Sequence, residues 1–177
     1  MIPIFCYGSN MLTERLSRRA PSAHLPVPAV LRGHGISFHK RGQDGSGKCT
    51  VQPSHPARRV VHGVVFRVHP EHLGQLHAAE GVGNGYLFQP VAVVTPRGEI
   101  HAHAYVASPD AVDRELLPFD WYRDLVVRGA HEHGLPRSYT SRLRRVRCVT
   151  DPEAERALLH REIIEASRSI PGGWTDG

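Results

Sequence analysis

Pro3-Ile4-Phe5-Cys6-Tyr7-Gly8-Ser9-Asn10 opens the chain with an apolar, strand-forming run that ends at Tyr7, turns on Gly8-Ser9-Asn10 and passes directly into a helical pattern over Met11–Arg19. A strand, a tight loop and a helix start in this order leave backbone N–H groups free at the junction, a natural site for an anion or a developing oxyanion. Gly8 has no Cβ, so its backbone can take φ > 0 and a ligand can approach it closely, while Ser9 or Asn10 is available as a helix N-cap. Taken alone, Gly-Ser-Asn is equally a plain turn with a good cap. What it means depends on the rest of the chain.

Outward from that corner, Leu12 and Leu16 share one face of a short helix, Arg15, Arg18 and Arg19 take the other positions, and Pro21 ends it. Residues 27–40 alternate loosely and predict a strand broken near Gly33-His34-Gly35. Gly42 to Lys48 is glycine-rich but lacks the spacing of a phosphate loop, and reads as a surface loop. Val60 to Val68 is branched and apolar, as a strand buried on at least one face should be.

Pro70 then sits in the first turn of a helix that Gly81 stops. On it Leu73, Leu76 and Glu80 are spaced i, i+3, i+7, which puts the Glu80 carboxylate on the face otherwise used for the core. Glu80 is also in the last turn, where the helix dipole opposes a negative charge. Apolar surroundings and that dipole together disfavour the charged form and suit the group to general acid–base work. The alternative is a side chain bent out to solvent beside Gly81.

Beyond a corner at Gly83-Asn84-Gly85, Tyr86–Val94 and Ile100–Ala107 form a β-hairpin. His101 and His103 on its second strand, and His131-Glu132-His133, lack a metal-ligand pattern and read as surface histidines. Residues 120–133 predict a helix closed by Gly134, and Leu135-Pro136 restarts the chain into a helix with Tyr139 and Leu143. A short strand over Val146–Val149 and a final helix with Leu158, Leu159, Ile163 and Ile164 follow.

A chain of 177 residues holds one full core, so residues 1–170 are expected to form a single domain and residues 171–177 a disordered tail. There is no apolar run of about 18 residues and no leader pattern, which predicts a protein of the cytoplasm with no membrane partner. Cys6, Cys49 and Cys148 are odd in number and widely spaced, which implies reduced thiols and no zinc site. The net charge of +5 invites a nucleic-acid reading. The cluster Arg142, Arg144, Arg145 and Arg147 lacks the interleaved aromatics of a single-strand binder, and no nucleic-acid partner is expected.

Taken together, Phe5 to Arg15, Gly63-Val64-Val65-Phe66, Glu80-Gly81-Val82, and Gly129-Ala130 with Gly134-Leu135-Pro136 and Tyr139 resemble the γ-glutamylcyclotransferase family in order and spacing over roughly residues 2–147. The resemblance implies a mixed α+β domain, a small barrel-like sheet flanked by helices, with a pocket beside the Tyr-Gly-Ser-Asn loop. It also implies a small-molecule γ-glutamyl substrate whose own α-amine closes the glutamyl part into 5-oxoproline and releases the amine. Such a reaction needs no protein nucleophile, metal or cofactor, only a base, and Glu80 is the candidate.

By the same resemblance Gly8, Ser9 and Asn10 hold the substrate carboxylate or the oxyanion, and Tyr7, Tyr86 and Tyr139 wall the pocket. One departure is plain: well-known members carry an aromatic seven residues after the glutamate, where this chain has Leu87, with Tyr86 one position earlier. On a strand, one position reverses the side. The released group is an amino acid or, alternatively, an amine or a natural-product intermediate. A non-enzymatic basic binding protein and a Cys6–His hydrolase complete the alternatives, and the chain is a monomer or a homodimer.

Overall fold

The computed structural model describes residues 1–55 and 59–168. Five strands close into a barrel in the order β1 (Ile2–Cys6), β5 (Val60–Val68), β2 (His24–Arg32), β6 (Tyr86–Thr95) and β7 (Gly98–Ala107). Strand β1 runs antiparallel to β5, from Ile2 opposite Val68 to Cys6 opposite Val64, and pairs in parallel with β7 at Ile4 and His103. Strands β3 (His34–Arg41) and β4 (Gly47–Pro53) form a separate two-stranded sheet. The expected break between β2 and β3 falls at Gly33, whose φ of +69° suits a residue without a Cβ.

Val64, Val65 and Phe66 are buried in succession, so β5 has neighbours on both faces. That explains a continuous apolar run where a half-exposed strand would alternate. Gly63 serves the same crowding: a Cβ there would stand 2.4 Å from the Cys6 carbonyl oxygen and 2.6 Å from the Phe5 ring. Around the barrel lie α1 (Thr13–Arg19), α2 (Pro70–Glu80), α3 (Asp120–Glu132), α4 (Arg137–Arg144) and α5 (Ala154–Arg168). Among the described residues no helix is long and apolar enough to cross a membrane.

Several expectations are corrected. Ser9–Met11 is a 3-10 turn, and α1 starts only at Thr13, because Ser9 and Asn10 spend their side chains elsewhere than on a helix cap. Residues 146–149 form no strand beyond a single bridge of Val149 to Phe119. On α5, Ile163 and Ile164 are buried, whereas Leu158 and Leu159 are exposed. The α5 entry is fixed by Asp151, which accepts from Glu153 N at 2.9 Å and from the Trp121 indole at 2.7 Å. The expected disordered segment 171–177 lies outside the described residues.

Candidate active site

A pocket opens where β1 ends, lined by Phe5 to Asn10, Cys49, Glu80, Tyr86, Tyr105 and Tyr122. Each side comes from a different element. The 3-10 turn Ser9–Met11 forms the floor, its N–H groups of Met11 and Leu12 donating to the Gly8 and Ser9 carbonyls at 3.0 and 3.3 Å. Strand β4 passes over it, so that Cys49 N donates to the Tyr122 hydroxyl at 3.0 Å and the Tyr86 hydroxyl donates to Cys49 O at 2.5 Å. The Tyr7 hydroxyl donates to the Tyr105 carbonyl oxygen.

The glycine in the loop is there for space. Gly8 has φ −111°, outside the left-handed region anticipated for it, but a Cβ would meet the Cys49 Cβ at 3.0 Å and the Tyr122 hydroxyl at 3.4 Å. Among the described residues none accepts from the N–H groups of Gly8, Ser9 or Asn10. Gly8, Ser9 and Asn10 all line the pocket.

Glu80 ends α2, and Gly81 at φ +68° terminates the helix in the left-handed conformation. Leu76 is fully buried on the same face, and the Glu80 side chain, 14% exposed, turns with it toward the pocket rather than to solvent. Its surroundings are not the apolar ones anticipated. The Glu80 carboxylate accepts from Asn10 Nδ2 at 2.9 Å and is ion-paired with Arg19, and Arg19 also donates to Asn10 Oδ1 at 3.1 Å. Two residues distant from Glu80 in sequence thus fix one of its carboxylate oxygens, Oε1.

Arg19 had read as part of the solvated face of α1. Only the packing of α1 against α2 shows that it turns inward. Cys49, Tyr105 and Tyr122 also carried no local signal. Cys6 and Tyr7 both line the pocket, because β1 stops at Cys6 and strand alternation does not extend across the Cys6–Tyr7 step. Tyr86 is buried in the pocket wall and Leu87 is 41% exposed, since the pleat of β6 starts at Tyr86. Tyr139 is buried but does not line the pocket; its ring stands edge-on to His62 at 4.8 Å. Burial pushes the Cys6 thiol far up, with the Glu80 charge adding to it, and burial likewise raises the Tyr7 and Tyr86 phenols. All three stay protonated at neutral pH.

Comparison with known proteins gives this geometry its context. The AIG2-like family model matches residues 60–143. The human γ-glutamylcyclotransferase is 32% identical over 148 residues, 80% of this chain and 77% of its own, and the bovine enzyme is 34% identical over 78% and 75%. A solved structure of a γ-glutamyl cyclotransferase superposes with a TM-score of 0.80 over 93% of this chain and 98% of its own, at 28% identity. This chain belongs to the γ-glutamylcyclotransferase family.

In this family member the wall beside Glu80 continues outward to Trp121 of α3 and His160 of α5, whose rings stack with centroids 3.8 Å apart. Burial first, and then the charges of Arg15, Lys48 and Arg19, hold His160 down to about 4, with Asp44 opposing. The unfolded chain takes up a proton near the ordinary value of 6.5, and the folded chain does so only near 4. Stability contributed by neutral His160 is therefore complete above about 6.5 and is lost as pH falls through that window. The ring is half-buried and solvent screens part of the effect, so we expect about 1 kcal/mol less stability at pH 5 than at pH 7.5 from this group. Denaturant unfolding at the two pH values would read it, and in His160→Gln that part of the slope should vanish.

Proposed function

We propose that this protein is a γ-glutamylcyclotransferase that converts a γ-glutamyl amino acid to 5-oxoproline and the free amino acid. The observation that carries this reading is the Glu80 carboxylate, held by Asn10 and Arg19 at a pocket lined by Gly8, Ser9 and Asn10, whose N–H groups have no acceptor among the described residues. The substrate's α-ammonium has an ordinary pKa near 8 and cannot attack while protonated. Glu80 takes that proton through its carboxylate. The amine nitrogen then bonds to the γ-glutamyl carbonyl carbon, and the carbonyl oxygen becomes an oxyanion within reach of the loop donors. As the oxyanion re-forms the carbonyl and the amide C–N bond breaks, Glu80 gives its proton to the leaving nitrogen and then takes the second proton of the ring nitrogen, which leaves the neutral lactam, and passes it to the released amine.

The pocket contributes proximity by folding the glutamyl chain so that its amine faces its own carbonyl. Tyr7 and Tyr86 act as walls, their hydroxyls already committed to backbone carbonyls. Tyr139 supports the fold behind the site. A Cys6 nucleophile fits poorly: its thiol is held protonated, and no histidine lines the pocket among the described residues. A simple γ-glutamyl amine in place of the amino acid would use the same Glu80 and loop. The test is 5-oxoproline release from γ-glutamyl-alanine, γ-glutamyl-lysine, glutathione and γ-glutamyl-butylamine. Release from the amino-acid amides supports the reading. Silence with all four from folded protein would overturn it.

A further inference from the structure

The pocket adjoins an outer cavity, with Ser9, Glu80, Tyr86 and Tyr122 common to both. Four cationic side chains line this cavity, Arg15, Arg19, Lys40 and Lys48, against two carboxylates, Asp44 and Glu80. Two of the cations are answered: Arg19 pairs with Glu80, and Lys48 Nζ lies 2.6 Å from Asp44. Arg15 and Lys40 have no carboxylate within ion-pair distance among the described residues.

These two are also the deeper charges, with exposures of 6% and 5%. Arg15 donates to Ser9 Oγ at 3.1 Å and meets His160 Nδ1 at 3.3 Å, both neutral groups. Lys40 Nζ stands 4.5 Å from the centre of the Tyr86 ring. A cation–π contact and hydrogen bonds to neutral groups offset only part of the cost of burying a charge without a counter-ion. Burial lowers the proton affinity of both side chains.

We propose that the outer cavity is the subsite for the released part of the substrate, and that Arg15 and Lys40 select an amine carrying two negative charges, an acidic amino acid. This rests on the reading of the inner pocket as the γ-glutamyl site. With Glu80 at the junction, the scissile amide nitrogen faces the cavity, so whatever leaves must lie among these side chains. An α-carboxylate answers one cation and a side-chain carboxylate the other. A lysine amide would instead add a positive charge to a wall that already has an excess of them, which works against binding.

The experiment compares kcat/KM for γ-glutamyl-aspartate, γ-glutamyl-glutamate, γ-glutamyl-alanine and γ-glutamyl-lysine in wild type, Lys40→Met and Lys40→Arg. Methionine keeps the aliphatic stem packed while removing the charge. In wild type an acidic amide should exceed the alanine amide by about tenfold or more, a difference of the size expected for one added charged contact. Lys40→Met should bring that ratio close to one, and Lys40→Arg should restore most of it. A wild-type ratio near one overturns the proposal. So does a Lys40→Met protein that loses both activities in equal proportion, since Lys40 would then only brace Tyr86.

Calorimetric titration of L-aspartate and L-alanine reads the same subsite without turnover. Aspartate binding that weakens about tenfold in Lys40→Met, in a protein that turns over none of the amides, would keep the anion site and remove the cyclotransferase reading. Turnover without acidic preference and without aspartate binding would do the reverse. Loss of both would end both.

Discussion

Glu80→Gln should lower kcat for 5-oxoproline release by about 10²–10⁴-fold, the usual contribution of a positioned acid–base group. KM should change far less. Glutamine keeps the length and accepts through its amide oxygen, so Asn10 can still donate to it. What it loses is the ability to accept the α-ammonium proton and hand it to the leaving nitrogen. It also leaves Arg19, 23% exposed at the side chain, without its carboxylate. A control separates the two consequences: Arg19→Met should raise KM and reduce kcat less than Glu80→Gln, because it loosens the carboxylate without removing it. Steady-state kinetics with circular dichroism on each variant reads this. Full turnover by folded Glu80→Gln would end the mechanism.

Gly129→Ala should be strongly destabilising although it lies outside the pocket. Gly129 lies on α3 where the helix crosses the chain leaving the site loop, and a Cβ there would stand 2.5 Å from Leu12 N and 2.7 Å from the Met11 carbonyl carbon. Those are backbone atoms and cannot swing aside. Alanine gains roughly 1 kcal/mol in helix propensity, but forcing backbones apart in a packed core costs more, and the net loss should be about 2 kcal/mol or greater. Met11 and Leu12 follow directly on Ser9 and Asn10, so the displacement reaches the N–H array and the Asn10–Glu80 bond. Activity should fall along with the unfolding midpoint. Gly74→Ala on α2 is the contrast: nothing lies within 4 Å of its Cβ, and it should stabilise by about 0.5–1 kcal/mol.

Much of the site could be read from the chain because its signals are local. Loop chemistry marked Gly8-Ser9-Asn10, the i, i+3, i+7 spacing placed Glu80 on the Leu76 face, and Gly81 marked the end of the helix. The environment of Glu80 could not be read this way. Periodicity reports which face a side chain shares, and that face is mostly apolar, so it implied an apolar setting. The partners that hold the carboxylate come from residues 70 and 61 positions earlier in the chain. Arg19 has the same one-dimensional signature as Arg18, which is nearly half exposed and paired with Glu14. Nothing in the helix pattern distinguishes the two.

The sequence by itself determined the opening strand, loop and helix order, the acid–base candidate and the turn glycines, which rest on backbone preferences and short spacings, and its motifs carried the resemblance to the family. The tertiary structure alone decided that Arg19 and Asn10 fix one oxygen of Glu80, that Gly8 makes room for Cys49, and that Arg15 and Lys40 line a cavity in which no carboxylate stands within ion-pair distance of either among the described residues. The physical reason is the range of the interactions. Dihedral preference and helical periodicity act over a few residues, whereas an ion pair, a steric contact or an uncompensated buried charge exists only once barrel closure brings distant segments together.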